Sequence, residues 1–185
     1  MTLEHNTGSM LVIGGCRSGK SSYALEYCNH IAKGTKYFLA TSVPLDDEMN
    51  QRVTSHQKER GSDWQTIEEP VNINQVLLGL PERTGVVLVD CITLWISNLM
   101  AQRMGADDMF QEAHDLGSTL QDLPFPVVLV TNEVGSGIVP ENALARAFRD
   151  NAGKVNQIIA NAVDRVVYTV AGIPMQIKPG SVPLA

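Results

Sequence analysis

The feature that most constrains the fold is a glycine-rich segment near the amino terminus, Gly14-Gly-Cys-Arg-Ser-Gly-Lys-Ser21. An apolar run, Met10-Leu-Val-Ile13, precedes it, and Tyr23, Tyr27 and Ile31 follow at the spacing of an amphipathic helix. This is the pattern of a phosphate-binding loop, or P-loop, in which backbone N–H groups and a helix N-terminus face phosphate oxygens. A Gly-rich turn that only joins a strand to a helix is the alternative. The pattern and its context together predict a strand–loop–helix unit around a phosphate.

Charged and hydroxyl side chains in and beyond this loop supply the other parts of a nucleoside triphosphate site. Lys20 can reach the β- and γ-phosphates, the Ser21 hydroxyl can bind magnesium, and Arg17 adds a cation. Asp90 ends the apolar run Val86-Val-Leu-Val89, and an acid at the end of a neighbouring strand is the usual second metal partner. An aspartate that caps a helix is the alternative.

Short apolar runs alternate with helical patterns along the chain, which predicts one α/β domain. Strands are predicted at 10–14, 36–40, 85–90, 126–131, 165–170 and 173–178, and helices at 20–32, 46–61 and 141–163. Because strand–helix–strand crossovers are right-handed, we expect a P-loop NTPase-type domain over residues 10–178, with a largely parallel, doubly wound sheet. Function should lie at the carboxyl ends of its strands. Residues 1–9 are predicted to be a disordered polar leader, and 179–185 a tail.

Composition excludes several classes of protein. The 185 residues carry 20 acidic and 14 basic side chains, a net charge of −6, which argues against a dedicated nucleic-acid binder. The apolar runs are far shorter than the roughly 20 residues of a membrane span. The leader lacks the apolar core of a signal peptide, and the three cysteines form no CxxC pair, so a reducing cytoplasm is expected.

One histidine stands out from the other three. Arg52, His56 and Arg60 recur at i, i+4 and i+8, which stacks them on one face of the helix predicted to open near Asp46 and to close near Gly61. Two guanidiniums can bind phosphate and favour a neutral, nucleophilic imidazole between them. A solvated basic face is the alternative. The other histidines have structural interpretations: His5 in the leader, His30 at a helix end and His114 on an acidic helical face.

These motifs resemble the bifunctional adenosylcobinamide kinase/adenosylcobinamide-phosphate guanylyltransferases of cobalamin biosynthesis. The resemblance extends from about residue 10 to residue 178. The matching segments are Gly14-Gly-Cys-Arg-Ser-Gly-Lys-Ser21, Ala40-Thr-Ser42, Asp46-Asp-Glu-Met49, Arg52-Val-Thr-Ser-His56, Asp90-Cys-Ile-Thr93, Val128-Leu-Val-Thr-Asn-Glu-Val-Gly135, Gly137-Ile-Val-Pro-Glu-Asn142 and Leu144-Ala-Arg-Ala-Phe-Arg-Asp-Asn-Ala-Gly-Lys-Val-Asn156.

The resemblance implies a P-loop α/β fold and two reactions. The first phosphorylates the aminopropanol hydroxyl of adenosylcobinamide with ATP or GTP. The second transfers GMP from GTP to that phosphate through a GMP-histidine, at the position of His56, and releases pyrophosphate. Lys20 is the other implied catalytic residue, and magnesium the cofactor, held by Ser21 and Asp90. The family also implies a homotrimer with its active site near subunit boundaries.

The resemblance also implies a set of nucleotide contacts and leaves two surfaces open. Glu68 would accept hydrogen bonds from a guanine edge. Without the resemblance, Glu68 is interpreted only as an acidic residue in a loop. Asp90 stands where the family often has Glu. Residues 132–140 are expected to face the corrinoid or gate the site, with a plain surface loop as the alternative. The implied contacts are Gly14, Gly15, Cys16, Arg17, Ser18, Gly19, Lys20, Ser21, Ser22, Ala40, Thr41, Ser42, Arg52, Gln57, Lys58, Glu59, Arg60, Glu68 and Asp90.

Three rival functions share parts of this pattern. A small-molecule kinase without transferase activity needs the P-loop but no histidine. A GTP-dependent switch protein reads guanine with Asn-Lys-x-Asp, whereas Thr131-Asn-Glu-Val134 has neither the Lys nor the Asp. A nucleic-acid-stimulated ATPase is disfavoured by the acidic charge.

Overall fold

The computed structural model describes residues 8–43, 61–102 and 105–180. These ranges contain seven strands and five helices. In chain order they are β1 (Met10–Gly14), α1 (Lys20–Ile31), β2 (Thr35–Ala40), β3 (Trp64–Glu68), α2 (Ile73–Gly79), β4 (Thr84–Asp90), α3 (Ile92–Ala101), α4 (Ala106–Asp122), β5 (Val127–Asn132), α5 (Ala143–Ala162), β6 (Arg165–Val170) and β7 (Ile173–Lys178).

All seven strands form one sheet in the order β3-β2-β4-β5-β1-β6-β7. Every neighbouring pair is parallel except the antiparallel hairpin of β6 and β7. The predicted largely parallel α/β sheet is therefore confirmed. Six carboxyl ends meet at one edge of the sheet, which is where such folds bind ligands.

Helices cover both faces of this sheet. Because side chains alternate along each central strand, every such strand contributes to the apolar core on both faces. Val86 and Leu88 pack on the side of α1, whereas Val87 and Val89 pack on the side of α2 to α5. All four are 0–1% exposed. Full burial of such side chains contributes about 1.5–3 kcal/mol each, which explains why β4 is an unbroken apolar run.

One strand, β3 at the edge of the sheet, was not predicted from the sequence. Trp64 is buried, but Gln65, Thr66 and Glu68 are exposed, so this strand has a weak apolar signal. Glu68 is therefore the last residue of an edge strand, and its interpretation as a loop acid is wrong. The helix predicted over 46–61 lies outside the described residues, except for its last residue.

The amino-terminal boundary also differs from the sequence prediction at one residue. Ser9, assigned to the leader, is buried, and its backbone N–H donates to Asp164 Oδ2 at 2.7 Å. The N–H of Asp164 in turn donates to the Ser9 carbonyl at 3.1 Å. These bonds fix the start of β1 against the turn before β6. Within the described ranges, no helix has both the length and the apolar character needed to cross a bilayer.

Candidate nucleotide site

The P-loop joins β1 to α1 at the carboxyl edge of the sheet. Two of its residues adopt left-handed backbone conformations, Arg17 with φ of 53° and Gly19 with φ of 91°. The Ser18 N–H donates to the Gly15 carbonyl at 3.3 Å, which closes the turn, and Lys20 begins the helix. A tight turn of this kind allows successive N–H groups to converge on an anion at a helix N-terminus.

The turn between β6 and β7 supports the P-loop from one side. Ser18 Oγ and Thr169 Oγ1 are hydrogen-bonded at 2.8 Å, and the Gly172 N–H donates to the Ser18 carbonyl at 2.9 Å. A Cβ on Gly19 would lie 3.0 Å from the Cα of Gly172, tighter than an ordinary contact. Glycine is therefore required at position 19 by both its φ and its neighbour.

The Lys20 ammonium lies over its own loop and near the end of β4. It donates to the Gly15 carbonyl at 3.0 Å. Burial, together with the charge of Asp90, raises the pKa of the Cys91 thiol to about 12. A backbone hydrogen bond, a side-chain hydrogen bond and the positive charge of Lys20 partly oppose that rise in the pKa. The Lys20 charge therefore acts on Cys91, the residue that follows Asp90.

Several predicted contacts lie along the carboxyl edge, on the face covered by α1. Glu68 pairs with Ala40 across β3 and β2, and Ala40 pairs with Asp90 across β2 and β4. Gly14, at the end of β1, pairs with Asn132 at the end of β5, whereas Asp90 pairs with Val130, two residues before Asn132. Because side chains alternate along a strand, Asp90 and Asn132 share the face of Leu88 and Val130. The fold therefore brings together the P-loop, Asp90 and the end of β3.

Thr41 has a different role in the structure from the one that the resemblance implies. It is fully buried, and its hydroxyl donates to the Cys91 carbonyl at 2.7 Å and accepts from the Cys91 N–H at 2.8 Å. Its own carbonyl accepts a hydrogen bond from Asn98 Nδ2 at 2.8 Å. The Thr41 side chain thus joins the ends of β2 and β4. A nucleotide contact at Thr41 stays a prediction, and its single O–H donor is already used.

A buried polar network beneath the site was not found from the sequence. The Thr131 hydroxyl donates to Asn156 Oδ1 at 2.8 Å and lies 3.3 Å from the Thr93 hydroxyl. Thr93 Oγ1 accepts from the Asn132 N–H at 2.7 Å, and Asn156 Nδ2 donates to the Asn132 carbonyl at 3.3 Å. The feature of the sequence that could have indicated this network is the Thr-Asn pair at the end of the buried apolar strand β5.

The loop after β5 is fixed at its base and apolar at its tip. The Gly135 N–H donates to Glu133 Oε1 at 2.5 Å, and the Arg149 guanidinium donates to the Gly135 carbonyl. Ile138 is 96% exposed and Val139 63% exposed. Such exposure of two adjacent aliphatic side chains at a ligand-binding edge is typical of an interaction surface.

His30 and His114, which the sequence assigned no role in the site, are exposed on helix surfaces. Within the described ranges, no cluster of three or more His, Cys, Asp or Glu side chains is arranged to hold a metal. Six predicted residues lie outside the described part of the chain: Arg52, His56, Gln57, Lys58, Glu59 and Arg60.

Solved structures similar to this one share only its fold. The flagellar accessory protein FlaH from Methanocaldococcus jannaschii aligns with a TM-score of 0.51 and 13% identity, over 96% of this chain and 82% of that one. A KaiC-like protein from Pyrococcus horikoshii aligns with a TM-score of 0.50 and 12% identity, over 88% of this chain and 70% of that one.

Sequence comparisons give closer relatives. The bifunctional adenosylcobalamin biosynthesis protein CobP of Pseudomonas aeruginosa is 38% identical over 172 residues, covering 91% of this chain and 96% of that protein. The bifunctional adenosylcobalamin biosynthesis protein CobU of Escherichia coli K12 is 39% identical over 181 residues, covering 91% and 99%. The profile of the family described as cobinamide kinase / cobinamide phosphate guanyltransferase matches residues 10–177. The chain, with its P-loop at the carboxyl edge of a parallel sheet, therefore belongs to this enzyme family.

Proposed function

We propose that this chain phosphorylates adenosylcobinamide with ATP or GTP and then transfers GMP from GTP to adenosylcobinamide phosphate. The transfer proceeds through a guanylyl group on His56. The observation that carries the proposal is the family match over residues 10–177, which includes both the P-loop and His56.

The kinase step requires a cradle for the triphosphate and little covalent chemistry from the protein. The aminopropanol hydroxyl oxygen attacks the γ-phosphorus, the bond to the β–γ bridging oxygen breaks, and the nucleoside diphosphate leaves. The hydroxyl proton passes to solvent. The backbone of Gly14–Ser21 and the Lys20 ammonium hold the phosphates and offset the charge that develops on them.

The guanylyl transfer requires two displacements at the α-phosphorus. A neutral imidazole nitrogen of His56 attacks it, and pyrophosphate leaves with the electron pair of the broken P–O bond. A phosphate oxygen of the corrinoid then attacks the same phosphorus, the P–N bond breaks, and the imidazole is released. Because the reaction passes through a covalent intermediate, the two anions GTP and the phosphorylated corrinoid need not react with each other directly. Arg52 and Arg60 offset the negative charge of these anions.

Magnesium fits the oxygen donors of this edge. Mg²⁺ prefers one or two carboxylates together with substrate phosphates and water, rather than an all-protein cage. The Ser21 hydroxyl, in the first turn of α1, and the Asp90 carboxylate, at the end of β4, would hold it. When bound, the metal neutralises charge on the phosphate oxygens.

The line along the sheet edge supports a place for guanine at Glu68. From Gly14 to Glu68 the edge crosses four strand spacings of about 4.8 Å, or about 19 Å, comparable with an extended nucleoside triphosphate. A nucleotide lying along this edge would have its phosphates at the P-loop and its base at β3. The exposed Glu68 carboxylate would accept hydrogen bonds from guanine. The contacts to the nucleotide would be completed by two residues that flank Thr41 and by three residues that follow His56: Ala40, Ser42, Gln57, Lys58 and Glu59.

We further propose that the loop over residues 132–140 faces the corrinoid. It begins beside the P-loop, and the exposed aliphatic groups of Ile138 and Val139 suit the apolar periphery of a large macrocycle. The fixed base of the loop, held by Glu133 and Arg149, would keep this surface in place without closing the site.

A homotrimer is also part of the proposal. The hairpin of β6 and β7 leaves four large apolar side chains 46–64% exposed, Val170, Ile173, Met175 and Ile177. The outer edge of β7 has no neighbouring strand in the described sheet. An exposed apolar edge strand favours contact with another chain. Since the turn of this hairpin also contacts the P-loop, such a contact would bring the subunit boundary close to the nucleotide.

The test is to incubate the protein with α-labelled GTP and magnesium without corrinoid. We expect label that stays on the protein in alkali and is lost in acid, as for a phosphoramidate. His56→Ala should abolish the label and guanylyl transfer while kinase activity remains measurable. His114→Ala, which alters an exposed histidine of α4, is the matched control and should label normally.

Two results would contradict the proposal. Labelled adduct on His56→Ala would show that another residue is the nucleophile. Absence of any adduct on the wild-type protein, together with normal phosphorylation of adenosylcobinamide, would favour the small-molecule kinase without transferase activity.

A further inference from the structure

We propose that the side-chain amide of Asn132 donates a hydrogen bond to the γ-phosphoryl group during the kinase step. This inference rests on the proposed function, because it takes the P-loop nucleotide as the phosphoryl donor. It assigns a substrate contact to a residue outside the P-loop, in addition to the corrinoid-facing role proposed for the 132–140 loop, of which Asn132 is the first residue.

The first argument is the position of Asn132 in the sheet. Its Cα pairs with that of Gly14, so it lies one strand spacing, about 4.8 Å, from the start of the P-loop. The next strand beyond β5 is β4, which ends at Asp90. Asn132 is thus on the strand between the P-loop and the carboxylate proposed to hold magnesium, two residues beyond Val130, the partner of Asp90. A nucleotide bound by both would have its terminal phosphoryl group close to the carboxyl end of β5.

The second argument is the direction of the side chain. Val128 and Val130 belong to the apolar cluster on the face of α1, whereas Thr131 bonds to Asn156 on the opposite face. By alternation, Asn132 shares the face of the P-loop helix. The residue is partly buried, so its carboxamide lies at the surface of the site.

The third argument is the contrast between the main chain and the side chain of Asn132. Its N–H donates to Thr93 Oγ1 at 2.7 Å, and its carbonyl accepts from Asn156 Nδ2 at 3.3 Å. The side-chain amide forms no hydrogen bond with any residue in the described ranges. Two side chains therefore fix the backbone from behind, while both amide N–H donors stay available. An amide donor carried on a fixed backbone at this position would stabilise charge that develops on a phosphoryl oxygen.

The chemistry predicts a separation between the two reactions. In the kinase step the γ-phosphoryl group is transferred, so a donor at its oxygens acts in the transition state. In the guanylyl transfer the reacting atom is the α-phosphorus, and the γ-phosphate only leaves as part of pyrophosphate. Loss of the donor should therefore affect the kinase step more than formation of the histidine adduct.

The experiment compares Asn132→Ala and Asn132→Asp with the wild-type protein. The aspartate is isosteric but replaces the NH₂ donor with an oxygen. Asn161→Ala, at an exposed position of α5, is the matched control. We expect kcat for phosphorylation of adenosylcobinamide to fall roughly a hundredfold in both Asn132 variants. The KM for adenosylcobinamide, the melting temperature and the adduct with α-labelled GTP should change little.

A binding measurement provides a readout that a purely structural role would not change. The wild-type preference for the non-hydrolysable β,γ-imido analogue of GTP over GDP should fall roughly tenfold in Asn132→Ala, as for one lost hydrogen bond to a charged group. Asn161→Ala should keep that preference.

Each alternative outcome overturns the inference. A wild-type kcat and a wild-type analogue preference in Asn132→Ala would show that the amide does not contact the γ-phosphate. A raised KM for adenosylcobinamide with unchanged kcat would assign the residue to the corrinoid instead. If the wild-type protein itself does not phosphorylate adenosylcobinamide, the proposed function fails, whereas the analogue comparison still decides the role of Asn132.

Discussion

At the scale of single residues, the three cysteines show how the fold sets chemical reactivity. Cys16 is exposed in the P-loop, whereas Cys28 is buried on the inner face of α1 and Cys91 is buried directly after β4. Burial raises the pKa of the Cys28 thiol and raises that of Cys91 to about 12. Because the thiolate is the nucleophile, a thiol with a raised pKa stays protonated and unreactive at neutral pH.

We therefore expect one fast-reacting thiol in the native protein. Near pH 8 an alkylating reagent should modify Cys16 first, and GTP with magnesium should slow this reaction by covering the P-loop. In denaturant all three thiols should react. Mass spectrometry after timed quenching measures the sites. Cys16→Ser should remove the fast phase, and Cys28→Ser should leave it unchanged. Rapid native labelling of Cys91 would contradict this account.

Lys20 carries a second prediction at this scale. Lys20→Ala removes a charge placed to offset the one that develops on phosphate oxygens, so both reactions should slow. Loss of one such preorganised group costs on the order of 3 kcal/mol, or roughly a hundredfold in rate. Steady-state kinase assays and adduct formation measure the two effects, with circular dichroism to check the fold. Near-normal kinase turnover in a folded variant would exclude the P-loop assignment.

At the scale of elements, the P-loop depends on a hairpin distant in sequence. The turn of β6 and β7 bonds to Ser18, and Gly172 lies against Gly19. The sequence predicted the loop and both strands, but not their contact. This contact joins the loop to a strand 151 residues away in the chain.

Two glycine-to-alanine changes, one at this contact and one away from it, should change the free energy of unfolding in opposite directions. Gly19→Ala places a Cβ at a φ of 91°, which costs about 1–2 kcal/mol of unfolding free energy, and presses it against Gly172. Gly153→Ala is the matched control, because Gly153 is an exposed glycine of α5 with no atom near its Cβ direction. It should gain roughly 1 kcal/mol from helix propensity.

Urea unfolding of the two variants measures these changes, and nucleotide binding separates their effects on the site. Gly19→Ala should also weaken GTP binding, whereas Gly153→Ala should leave it unchanged. Equal stability of Gly19→Ala and the wild type would show that the loop and the hairpin accommodate the extra methyl group, contrary to the argument from φ and contact.

At the scale of the whole molecule, the apolar surface of β7 carries a prediction about assembly. Met175→Asp places a charge among the exposed apolar side chains of the hairpin, and it should dissociate the proposed trimer by desolvation of that charge. Gln176→Asp adds the same charge to the other face of the strand and should not. Sedimentation velocity distinguishes the species. A trimer that persists in Met175→Asp would place the subunit contact elsewhere.

Much of the molecule follows from local sequence. The P-loop, the central strands and α1 are each specified by residues close together in the chain, since turn glycines and apolar periodicity act over one or two turns. The motifs around Gly14–Ser21 and after Val128 also identified the family, which the comparisons confirm. His56 was found in the same way, from its spacing to Arg52 and Arg60, and its role stays a prediction.

Only the tertiary structure decided which distant residues share the site. The order of the strands places Asn132 between Gly14 and Asp90, and it places the polar edge strand β3 at the end of the same line. The structure also assigned the Thr41 hydroxyl to the backbone of Cys91. Strand order and side-chain partners result from pairing between segments far apart in the chain. The free energy of that pairing comes from the two cores as a whole, and no local pattern encodes it.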